Sequence, residues 1–105
     1  MHIPLRVIVV WSSSKPESPV TVVIEGKECL AVYGDHQELA RLHPEIFHSA
    51  DHSYQTEELS LVGLRNLTLK HAFNHLVVYL SDQPSQMCAA ADLVTYVEGH
   101  GENSL

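Results

Sequence analysis

Cations are scarce in this chain. Six lysines and arginines stand against thirteen aspartates and glutamates, and the formal net charge is −7. A surface of that sign repels a polyanion, so no direct nucleic-acid partner is expected. Cysteine is scarcer still. Cys29 and Cys88 lie far apart, without the Cys-x-x-Cys spacing of zinc sites or nucleic-acid deaminases, and read as buried reduced thiols in preference to a disulfide. No apolar run approaches the ~20 residues of a membrane span. The first residues, Met1 to Arg6, form no basic leader, and Val7 to Trp11 is too short for a signal-peptide core, so the expected location is cytoplasmic, with no membrane partner. Strong catalytic and nucleotide signatures are missing as well. The loop Trp11-Ser12-Ser13-Ser14-Lys15 has no glycine to bring its backbone against an anion, and no Gly-x-Ser-x-Gly context.

What is present is a globular composition, 45% hydrophobic and 18% charged over 105 residues, which fits one α+β domain spanning 1–105 with 100–105 as a flexible tail. Ile3–Trp11 is apolar on both faces, the pattern of a covered central strand. Val20–Ile24 and Cys29–Tyr33 flank a tight turn around Gly26. With a Gly26-Lys27 loop, Ile24 faces Cys29, Val22 faces Ala31 and Val20 faces Tyr33. The opposite side carries Thr21, Val23, Leu30 and Val32. Gly34 closes this region, and Asp35-His36-Gln37-Glu38 reads as a capping box, with Asp35 at the N-cap of a short helix to about His43 and Glu38 reaching back. Pro44 restarts a turn through Phe47, and Ser49–Gln55 is a polar connection.

The second half reads as helical. Thr56-Glu57-Glu58 places acids where a helix N-terminus favours them. Leu59–Asn66 fits either a strand or a helix, with helix preferred. Leu69, Phe73, Leu76, Val77 and Leu80 form an apolar stripe, and Met87, Ala90, Ala91, Val94 and Val97 form another, started by Pro84 and stopped by Gly99. The expected fold class is therefore a small antiparallel three-stranded sheet at the N-terminus followed by packed helices.

Two histidines, His71 and His75, fall at i and i+4 of the expected helix, a spacing that can hold a metal, with His48 or His52 as a third ligand near His43 and Asp51. The motif lacks the glutamate of zinc proteases, and half-exposed polar residues on amphipathic elements are the preferred explanation. The acids, Glu17, Glu25, Glu28 and Asp35 among them, are dispersed along the sequence, although folding could gather those four at one end of the sheet.

These features lead to a small acidic non-enzymatic regulator, inhibitor or adaptor that docks on a protein partner with a basic surface, or on a second copy as a homodimer. Val23, Leu30 and Val32 are the expected binding residues, because their face of the hairpin needs cover. No catalytic residue, metal ligand or cofactor is assigned. The alternative is a small metal-dependent enzyme or metal sensor built on His71 and His75.

Overall fold

A computed structural model describes residues 2–44 and 53–100. Within them the chain forms β1 (Arg6–Ser12), β2 (Lys15–Pro19), β3 (Thr21–Ile24), β4 (Lys27–Tyr33), α1 (His36–Leu42), β5 (Tyr54–Ser60), α2 (Leu61–Lys70), β6 (His75–Leu80), β7 (Gln83–Ala89) and α3 (Ala90–His100). All seven strands belong to one mixed sheet. Five run in the order β2-β1-β4-β6-β7, β3 joins β4, and β5 joins β1. The fold is α+β as expected, but strands and helices interleave. It is not a three-stranded sheet followed by helices.

Three strands make the centre, and each is a near-continuous apolar run because each is covered on both faces. In β1 these are Val7, Ile8, Val9 and Val10, in β4 Cys29 to Tyr33, and in β6 Leu76, Val77 and Val78, all buried. β4 and β6 pair in parallel, Leu30 beside Leu76 and Val32 beside Val78. One face of the sheet packs Val7, Val9, Leu30, Val32, Leu76 and Val78 under Leu61 and Leu64 of α2 and Leu93 and Val97 of α3. On the other face, Ile8, Val10, Ala31 and Tyr33 pack with Leu39 of α1, and the Tyr33 ring stacks on Tyr79 at 5.3 Å.

The hairpin turn is Glu25-Gly26, not Gly26-Lys27. Both residues have positive φ, 52° and 78°, the signature of the two-residue turn whose twist matches its strands. Ile24 therefore faces Lys27, and Val22 faces Cys29. The register differs from the expected one by two residues. Side chains alternate with a period of two, so the division between faces survives the shift.

β6 and β7 occupy segments that the apolar spacing assigned to helices. Leu76, Val77 and Leu80 satisfy a helical stripe, yet Val77 and Val78 are β-branched and the run is short, which favours a buried strand. The break before it is a Schellman cap. α2 ends on His71, Ala72 adopts φ 55°, Phe73 N–H donates to Thr68 O at 3.1 Å, and Ala72 N–H donates to Leu69 O at 3.2 Å. Alanine sits where glycine is usual. Ala72→Gly is expected to stabilise the fold by about 0.5–1 kcal/mol, read from the shift in denaturant midpoint at unchanged m-value.

The remaining corrections follow from pairing. Thr56, Glu57 and Glu58 belong to β5, which pairs with β1 along its whole length, from Arg6 opposite Ser60 to Ser12 opposite Tyr54. Ser60 caps α2 instead, its Oγ accepting from Gly63 N–H at 3.1 Å. Met87 lies on β7, and helix α3 begins only at Ala90 and continues past Gly99. Asp35 is the N-cap of α1, accepting from Glu38 N–H at 2.8 Å. The Glu38 carboxylate does not reach back, and it binds the Arg41 guanidinium. Residues 45–47 of the turn after Pro44, most of the polar connection and the tail beyond residue 100 lie outside the described residues.

Candidate functional site

β5 is an edge strand whose only strand partner among the described residues is β1. Tyr54 to Glu58 are all exposed. The strand forms there because Tyr54 and Thr56 suit an extended backbone and because β1 offers a full row of hydrogen-bonding partners. Register then assigns its side chains. Gln55, Glu57 and Leu59 face the same way as Trp11, Val9 and Val7, while Tyr54, Thr56 and Glu58 share the face of Ser12, Val10 and Ile8.

Beside this edge lies an open groove of about 610 Å³, framed by Trp11, Ser12, Ser13 and Pro16 on one side and Gln55, Thr56 and Glu57 on the other. Trp11 is half-buried at the rim of the core. Its ring meets His71 edge-on, with centroids 6.0 Å apart, and His71 lies 6.0 Å from Phe73. Ser12 Oγ and Ser14 Oγ hydrogen-bond each other at 2.8 Å, which shapes the turn. On the opposite face a smaller hollow of about 120 Å³ includes Arg6, His36 and Glu58, and Arg6 Nε stands 4.0 Å from Glu58 Oε1. Both of those side chains are well exposed, so the pair contributes little to stability.

The three expected binding residues separate. They share a face, but Leu30 and Val32 are 0% exposed beneath the chain's own helices, whereas Val23 is 70% exposed on β3. His71 and His75 do not share a helix face. His71 caps α2, and His75 opens β6 beside Cys29 and Ala89. Among the described residues no three His, Cys, Asp or Glu side chains converge. His48, Asp51 and His52 lie outside those residues. Nor do the four acids gather, because Glu25 and Glu28 stand at one end of β4 and Asp35 lies beyond the other.

The two thiols belong to opposite faces of the sheet. Cys29 pairs with His75, Cys88 pairs with Leu76, and Leu30 beside Leu76 marks the Cys88 face. With β6 between their strands, no disulfide can join them. Burial raises the Cys29 thiol pKa and pushes that of Cys88 up to about 11, with Asp92 adding to the latter. Both thiols are therefore neutral and slow to react at pH 8. The expected outcome with a thiol reagent is two free thiols per chain after unfolding and slow labelling before it. The sign of the pH effect follows from linkage. The unfolded state releases these protons first, so stability falls as pH rises from about 9 towards 11. A thermal melt series across that range checks it.

No helix among the described residues is long and apolar enough to cross a membrane. No protein-family model matches the chain, and no curated protein does. The β5 margin, missed by the sequence reading, is signalled weakly by the Tyr-x-Thr alternation and by an acid pair with few apolar neighbours.

Proposed function

We propose that the protein is a non-enzymatic binding module, a small regulator, inhibitor or adaptor that docks on the basic surface of a partner protein. The observation that carries this reading is the exposed β5 edge in a chain of net charge −7, where Glu57 lines an open groove on one face and Glu58 projects from the other. Long-range attraction between that margin and a positive surface speeds encounter, and Trp11 supplies an aromatic contact after docking.

The test is affinity capture with the wild-type chain and with Glu57→Lys/Glu58→Lys, followed by kinetics on the purified captured protein. The expected partner is retained by the wild type alone. Its association rate falls as salt rises, while its dissociation rate changes little. Equal capture by both forms, or direct salt-sensitive binding of the wild type to duplex DNA, overturns the reading.

A further inference from the structure

We propose that β5 accepts an additional strand: an extended segment of another protein carrying two consecutive cations, Lys or Arg, adds to this edge of the sheet. The inference rests on the docking reading above and specifies how the partner is held.

The first argument is main-chain geometry. Val20 N–H donates to the Val10 carbonyl at 2.7 Å, so Val10 turns its polar backbone away from β5. Backbone groups alternate sides along an antiparallel strand. The β1 residues that bond β5 are then Val7, Val9 and Trp11, and their partners are Leu59, Glu57 and Gln55. Ser53 obeys the same alternation, its carbonyl accepting from Ser13 N–H at 2.8 Å. Tyr54, Thr56 and Glu58 therefore point N–H and C=O outward, and no described residue hydrogen-bonds those groups. A strand laid alongside would satisfy them, the recognition mode in which backbone bonds give affinity and alternate side chains give specificity.

The second argument is charge placement. Glu57 faces the Trp11 side of the sheet and Glu58 the other. Successive side chains of an added strand also point to opposite faces, so one cation at each of two adjacent positions meets both acids. The cation on the Glu57 side lies along the groove that Glu57 and Trp11 both line. On the other side the incoming cation displaces the loose Arg6–Glu58 contact. The occupant is not a second copy of this chain paired through β5, because Tyr54–Ser60 holds two glutamates and no Lys or Arg, so two β5 edges bring four carboxylates to one margin with no cation to meet them.

The experiment uses the single tryptophan, Trp11, as the reporter. Its fluorescence is followed while the intact protein is titrated with a synthetic peptide of Val and Thr residues around a central Lys-Arg pair. Two further peptides serve as controls: one of the same composition with Lys and Arg separated by a valine, and one N-methylated at alternate main-chain nitrogens. Saturable binding of the first peptide is expected, weaker by about tenfold or more for both controls. Thr56→Pro removes an outward donor without touching the bonds to β1, and it should lose binding to the same extent while circular dichroism stays unchanged. Arg6→Ala should bind slightly more tightly. Equal binding of all three peptides overturns strand addition. If Glu57→Lys/Glu58→Lys still loses that binding, acidic docking survives. Retention of a purified captured partner by Thr56→Pro also overturns strand addition alone. Failure of every cationic peptide and every basic protein to bind overturns both readings. An ultracentrifuge result showing that the peptide binds only by splitting a dimer makes a second copy the occupant and overturns the proposal.

Discussion

Leu30→Lys is expected to abolish the folded state. Leu30 is 0% exposed, lies mid-strand in β4 between Thr21 and Leu76, and packs under α2 and α3. The core cluster around it is apolar and offers no carboxylate. An unpaired ammonium there costs several kcal/mol, on top of the lost leucine packing. Domains of this size hold about 5–15 kcal/mol in total, so the variant should show no cooperative melt and should bind a hydrophobic dye. Val23→Lys, on the same face but 70% exposed, should shift stability by no more than about 0.5 kcal/mol. A Leu30→Lys variant that melts like the wild type would mean that α2 and α3 do not cover this face.

Leu76→Ala should cost about 2–5 kcal/mol, and Leu69→Ala less than about 1 kcal/mol. On the apolar stripe of a continuous helix these two leucines would be equivalent. In the fold, Leu69 is 57% exposed at the end of α2, while Leu76 is 0% exposed in a central strand between β4 and β7. Equal effects in urea titrations would contradict the break at Ala72. The pair therefore measures, in one experiment, whether the chain turns from helix to strand where the Schellman cap places the change.

That break shows where the sequence stops being legible. The central strands β1 and β4 were readable because continuous Val, Ile and Leu runs have few alternatives, and the Asp35 cap was readable because its chemistry is local. The partition of the hairpin faces also followed from alternation, although the turn itself was placed one residue late, since Glu25 is an unusual choice for positive φ. Ala72 hid the end of α2 in the same way, by carrying a left-handed conformation without a glycine. β5 and β7 were illegible for a different reason. Edge strands are polar because they are exposed, and only their long-range partners, β1 and β6, make them strands. The candidate site inherits that blindness. Glu57 and Glu58 looked like helix-start acids until pairing with Val9 and Ile8 placed them on a sheet margin.

The parallel pairing of β4 with β6 has a consequence for synthesis. The chain's middle is completed from its last third, because β6 completes the sheet's centre and α3 roofs it. While the nascent chain ends anywhere before Leu80, β1 and β4 have their hairpin and β5 but no closed interior, and their apolar faces stay open to other chains. Such long-range closure is slow compared with hairpin formation. The nascent domain should therefore remain protease-sensitive until β6 and α3 have emerged, and then become resistant in a single step.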